Sequence, residues 1–355
     1  MSFALIYVIS ALLICFTLST FFLSRLQTDI YPEDYEFQYD PFWIIISVLL
    51  IGGSIAFYFF PEQYDSIQSY SLLHFLLPPI FGGIIYFIYL LGFPILTHLI
   101  ILGFSLGMTP LLPESFYLFP EYLLPWQDRC ITAILLYLAT ISLPLLNCIG
   151  GLASLQFIVI TTITFILSYF NYIPTFFMVI SAVYFGVMMA FLFYSWPPEK
   201  LIMSQGAFLG IGFVAANFLL LGACEYADGS VFIASSFMFT ELMCALYNRF
   251  IFGNATEYLF MNTYSFRISQ EGKYELVTIQ RIIKIFVING VLAVIQVFAP
   301  DRLALPLFSI LLNLWFLSIL SGDTKPEQLL SVTDWSKKSI KKLLVRKNNK
   351  KKDSD

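Results

Sequence analysis

The chain has 355 residues, 59% hydrophobic and only 12% charged, with a formal net charge of −4. Soluble domains run at about 45–50% and about 25%, so water is excluded as the main solvent for this surface. Nothing in the composition points to nucleic acid, and apolar stretches of the length a membrane helix needs, about 20 residues, leave no room for a separate soluble domain.

In chain order, spans are expected at Phe3 to Leu23, Trp43 to Phe60, Leu72 to Leu91, Ile95 to Leu112, Cys130 to Leu146, Leu152 to Phe170 and Pro174 to Phe193. Four more follow: Ser204 to Ala223, Val231 to Phe250, Thr278 to Phe298 and Leu303 to Leu320. The count is ten or eleven, because Pro94, Gly103, Gly107 and Pro110 punctuate the fourth. The first segment has no basic n-region and no small-residue cleavage site before Ser24, so it reads as a mature helix and not as a signal peptide. The expected fold is therefore all-α, a polytopic transmembrane helix bundle. Residues 1–322 form one membrane domain, and 323–355 a basic tail.

Loop charge sets the orientation, because Lys and Arg stay in the cytoplasm more readily than they cross. With eleven spans and the N-terminus outside, 17 of the 19 basic residues fall inside, and only Arg129 and Arg302 fall outside. The C-terminus is then cytoplasmic. Its tail, Lys337 to Lys352, alternates basic pairs with Ile340, Leu343, Leu344 and Val345. That pattern suits contact with anionic inner-leaflet lipids, and equally a stop-transfer tail.

Polar residues inside spans are site candidates by default. Here they are Glu241, Asn147, Gln205, Asn217, Asn289 and Asn313. His74 and His98 have no acidic or Cys neighbour at ligand spacing and read as interfacial side chains. The five cysteines (Cys15, Cys130, Cys148, Cys224, Cys244) lack the paired spacing of a zinc site and read as small buried hydrophobes. The least ordinary stretch runs Phe191-Leu-Phe-Tyr-Ser-Trp-Pro-Pro-Glu-Lys200. A helix ends there, a double proline forces an extended break, and a new helix opens at Ser204, Gly206 and Ala207, small residues that let backbones approach.

At these residues the chain resembles the polyprenyl-phosphate N-acetylhexosamine-1-phosphate transferases, the family of phospho-N-acetylmuramoyl-pentapeptide transferase and the undecaprenyl-phosphate GlcNAc-1-phosphate transferases (glycosyltransferase family 4). The proline turn keeps Phe193, Pro197, Pro198, Lys200, Met203, Gly212 and Phe213 of that family's pattern. Asn147-Cys-Ile-Gly-Gly-Leu-Ala153 looks like its D-G-x-D-G-L-A, and Tyr89-Leu-Leu-Gly-Phe93 like the helix end before its paired aspartates. Glu241 matches an acidic residue of a late helix, and Arg281 an arginine that opens the next.

The resemblance implies transfer of a sugar-1-phosphate from a UDP-sugar to polyprenyl phosphate in a bacterial inner membrane, within the making of cell-envelope lipid intermediates such as those of peptidoglycan. It also implies Mg2+ as cofactor of an active enzyme, and Lys200, Arg267, Glu241 and Arg281 as substrate-binding positions. The acidic half of each motif is missing. Ile95 and Leu96 stand where the paired aspartates would be, Asn147 and Gly150 replace those of the second motif, Ser204 and Gln205 replace a Gly-Asp, and the histidine loop near Tyr264 to Arg267 holds no His.

Mg2+ takes carboxylates, waters and substrate phosphates, so the positions as they stand supply no metal site and no catalytic residue. The expectation is a diverged member whose phosphotransfer is weakened or lost, with binding of polyprenyl phosphate or a partner enzyme retained. Three alternatives stay open: an active transferase with substituted ligands, among them the first-loop acids Asp29, Glu33, Asp34, Glu36 and Asp40, or Glu199; an unrelated transporter; and a structural subunit.

Overall fold

Every backbone amide and carbonyl that enters hydrocarbon must be paired within the protein, and a helix does this locally. The chain answers with eleven α-helices among the described residues: α1 (Ser2–Thr28), α2 (Phe42–Phe59), α3 (Leu73–Leu90), α4 (Pro94–Met108), α5 (Pro125–Leu145), α6 (Leu152–Tyr169), α7 (Phe176–Ser195), α8 (Gln205–Gly222), α9 (Asp228–Ile251), α10 (Glu275–Val297) and α11 (Ala304–Ser321). The structure, a computed structural model, describes residues 2–28, 40–59, 73–112, 123–174, 176–196, 201, 203–223, 228–251, 263, 275–298 and 304–321. Eight helices are long and apolar enough to cross a membrane, and α2, α3 and α11 carry shorter apolar stretches. This is an integral membrane, all-α polytopic bundle, and each of the eleven expected spans corresponds to one helix.

The bundle is layered from the inside out. The apolar windows of α7 and α8 are 83% and 89% buried, whereas those of α1 and α4 are only 22% and 28% buried. Perimeter helices turn large apolar side chains outward, among them Leu13, Phe21, Leu99, Val291, Leu311 and Trp315. In a bilayer such a surface meets lipid tails and costs nothing. The punctuated fourth span is one of these: Gly103 and Gly107 have no neighbour near the position of an added Cβ, so they open no close contact.

Helices in lipid gain little from hiding apolar surface from one another, and their association rests on close packing and polar contacts. Two close approaches organise this core. Antiparallel α3 and α8 touch backbone to backbone: a Cβ on Gly82 would stand 2.7 Å from the carbonyl oxygen of Gly210, and one on Gly210 2.6 Å from that of Gly82. One turn earlier on α8, Gly206 lies under the ring of Tyr89. On the opposite face of α8, Gly212 faces the carbonyl of Thr140 in α5. That carbonyl is four residues before Pro144, which has no N–H to bond it. Proline and glycine thus work as a pair, one freeing an acceptor and the other letting a Cα–H lie against it.

A polar clasp closes the other side of the bundle. Asn289 of α10 donates from Nδ2 to Asn313 Oδ1 of α11 at 2.9 Å, and Asn313 Nδ2 donates to Ser236 Oγ of α9 at 2.9 Å. Ser309 of α11 joins Ser236 at 2.6 Å and Asn289 Oδ1 at 3.2 Å. All four residues are buried. Asn289 and Asn313, singled out as polar residues inside spans, here hold helices together.

Two stability predictions follow from these contacts. Gly210→Val should lower stability by about 1–3 kcal/mol, the ordinary cost of overpacking, while Gly53→Ala, where nothing stands within 4 Å of the added carbon, should leave the thermal midpoint in detergent unchanged. Equal midpoints for the two variants would remove the α3–α8 contact from its organising place. Asn313→Leu should cost about 1 kcal/mol, the scale of an interhelical hydrogen bond in lipid, and should loosen α11 selectively in hydrogen exchange.

Candidate functional site

Several segments far apart in sequence meet at one end of the bundle, where α2, α6 and α8 begin and α3, α5 and α7 end. Asn147 sits in a short 3-10 turn after Pro144, and its Nδ2 donates to the carbonyl of Met203 at 3.3 Å. Tyr89, in the last turn of α3, donates its hydroxyl to Gln205 Oε1 at 3.4 Å. Leu201 N–H donates to the carbonyl of Tyr194 at 3.2 Å, which draws the segment entering α8 back onto the end of α7. Half-buried Asn147 and Tyr89 therefore flank the three-residue stretch Met203–Gln205.

Asp40 enters this cluster from the start of α2. Its Oδ2 accepts the N–H of Ser204 at 3.2 Å and its Oδ1 the N–H of Phe42 at 3.1 Å. Tyr86, one turn before Tyr89 on α3, brings its hydroxyl beside Asp40 and Ser204. Its ring lies 4.3 Å from that of Phe42, centroid to centroid, and also touches Trp43, so packing aims the hydroxyl. Ser204 is the N-cap of α8 and accepts from Ala207 N–H at 3.2 Å. A carboxylate and a capping hydroxyl thus sit at the positive end of α8, where both are favoured.

No protein-family model and no curated protein matches this chain.

The remaining expected positions are spread more widely. Ile95 and Leu96 open α4, just after the turn at Gly92, and are 78% and 44% exposed, so they face outward as lipid-side residues do. Gly150 is buried immediately before α6. Glu241 is fully buried on α9, and Arg281 is exposed on α10. Lys200, Pro197, Pro198, Glu199, Arg267, the acids from Asp29 to Glu36 and the basic tail lie outside the described residues. His98 is met by the hydroxyl of Tyr137 at 3.3 Å, a link between α4 and α5 on the bundle's flank.

The donor set does not fit magnesium. Asp40 is the carboxylate in this hydrogen-bonded cluster, and both its oxygens accept backbone amides; among the described residues no three His, Cys, Asp or Glu side chains come together. Tyr86 is the site residue that sequence reasoning missed. Its signal was available, since it shares a helical face with Tyr89, three residues on.

Away from this end, an apolar groove of about 480 Å3 opens between α5, α8, α9 and α11, walled by Leu136, Ala139, Leu219, Phe232, Phe239 and Leu307.

Replacing Asp40 by Ala should cost about 1.5–3 kcal/mol, the scale of hydrogen bonds to a charged group, because the amides of Ser204 and Phe42 lose their acceptor together. Thermal unfolding in detergent checks this, with Asp40→Asn expected to fall between Ala and the native chain. An unchanged midpoint for Asp40→Ala would remove the residue from its capping role.

Proposed function

We propose that this protein is a diverged member of the polyprenyl-phosphate sugar-1-phosphate transferase family, in a bacterial inner membrane with this end of the bundle on the cytoplasmic side. Its phosphotransfer is weakened or lost, and it retains binding of a lipid phosphate or a partner enzyme. The observation that carries the reading is the meeting of Tyr89, Asn147 and the Met203–Gln205 stretch, three half-kept motifs from separate parts of the chain, through direct hydrogen bonds. An unrelated bundle has no reason to bring those segments together. The groove between α5, α8, α9 and α11 adds an apolar wall of a kind that suits an isoprenoid chain.

Asp40 favours a second reading, an active transferase with a relocated carboxylate. It is the weaker one. Transfer between a UDP-sugar and a lipid phosphate needs charge neutralised on a diphosphate, whereas Asp40 already gives one oxygen to the Ser204 amide at α8 and the other to the Phe42 amide at α2. Asn147 and Gln205 add only neutral carbonyl oxygens.

The test is direct. Purified protein given Mg2+, undecaprenyl phosphate and either UDP-GlcNAc or UDP-MurNAc-pentapeptide should release no UMP above a protein-free control, yet should bind undecaprenyl phosphate in nanodiscs. UMP release at a catalytic rate would establish the second reading. Absence of both UMP release and lipid binding would sink the family proposal.

A further inference from the structure

Of the helix N-termini at the end of the bundle that holds Asn147 and Gln205, those of α6 and α8 are finished differently. The first amides of any helix have no carbonyl of their own to bond, and the helix dipole makes that end an attractor of anions. At α8 the chain supplies its own answer, with Ser204 Oγ on the Ala207 amide and the Asp40 carboxylate on the Ser204 amide.

At α6 it does not. The N-cap is Gly151, in the left-handed region at φ 76°, and it offers no side chain to the amides behind it. Gly150 precedes it, and no acidic residue lies in the first turn. Among the described residues the amides of Ala153 and Ser154 find no acceptor, although both residues are buried. Two hydroxyls belong to the same neighbourhood. Ser154 Oγ, on a residue with no exposed surface, and Ser195 Oγ, on a residue 5% exposed at the end of α7, have no hydrogen-bond partner. Ser195 lies beside this turn: its Oγ is 3.7 Å and its carbonyl oxygen 3.5 Å from the point where a Cβ on Gly151 would stand, with Leu192 Cδ1 nearer at 2.9 Å. Buried donors left unpaired are rare, and four around one helical turn require an acceptor.

We propose that the first turn of α6, with Ser154 and Ser195, is a receptor for a phosphate-type oxyanion. A tetrahedral oxyanion presents several acceptor oxygens in different directions, so it can take two adjacent amides and two hydroxyls at once. Without side chains at Gly150 and Gly151 the chain itself supplies no cap to the amides behind them, as in glycine-rich phosphate loops. The phosphate arrives either free or as the headgroup of a lipid. Only the second source rests on the function proposed above.

The experiment titrates inorganic phosphate and, separately, undecaprenyl phosphate into the nanodisc-embedded protein by calorimetry. Native chain, Ser195→Ala and Gly150→Asp are compared. Ser195→Ala removes a hydroxyl with no partner, so folding is spared, and binding of either ligand should weaken about tenfold, as for one lost hydrogen bond to a charged group. Gly150→Asp brings a carboxylate to the turn and should abolish binding. Phosphate bound with this pattern and undecaprenyl phosphate not bound keeps the receptor and overturns the lipid reading. Undecaprenyl phosphate bound equally by all three proteins keeps the lipid reading and overturns the receptor, as does a native chain that binds no phosphate.

Discussion

The backbone contact of α3 with α8 at Gly82 and Gly210 is the constraint on which the rest of this structure leans. In lipid, apolar surface gives two helices no reason to prefer each other over acyl chains, so shape decides. Once these glycines are in contact, Tyr89 lies over Gly206 within reach of Gln205, and Tyr86 comes to Ser204 and Asp40. Gly212 on the other face of α8 then seats α5 through the carbonyl that Pro144 frees. The segment before α8 is thereby held between α3 and α5, and Asn147 meets Met203 as a consequence of that seating.

Among the described residues, charge at this end of the bundle is arranged around helix termini. Positions where the family resemblance leads one to expect carboxylates carry Asn147, Gly150, Gln205 and the outward-facing Ile95 and Leu96. The one described carboxylate in the hydrogen-bonded cluster, Asp40, is spent on amides. Among the described residues, unpaired donors gather at the start of α6. Such a surface suits an anion as a resting partner better than it suits metal-assisted phosphotransfer.

The fold was almost wholly legible in the sequence, because a bilayer makes one rule do most of the work: apolar runs of about 20 residues become helices. The doubtful fourth span resolved into α4 because proline is harmless at its first turn and its glycines lie on an open face. The site was legible only as separate fragments. Tyr89, Asn147 and Gln205 could be picked out by motif, but the bond from Asp40 to Ser204 spans 164 residues, and no local pattern encodes it. Ser195 was invisible for a different reason. Serines are common in membrane helices and usually bond a carbonyl on their own helix, as Ser142 does, so only the missing partner marks this one out.

The clasp of Ser236, Asn289, Ser309 and Asn313 bears on how the protein is made. Both asparagines face amide groups that hydrocarbon cannot solvate, and each finds its partner on another helix. During synthesis α9 and α10 leave the ribosome before α11, so Ser236 and Asn289 reach the membrane while Ser309 and Asn313 do not yet exist. Until α11 arrives, the Asn289 side chain on the α9–α10 hairpin lacks both of these partners. The α9–α10–α11 corner is thus completed only once Ser309 and Asn313 have been made, whereas the α3–α8 contact forms without them.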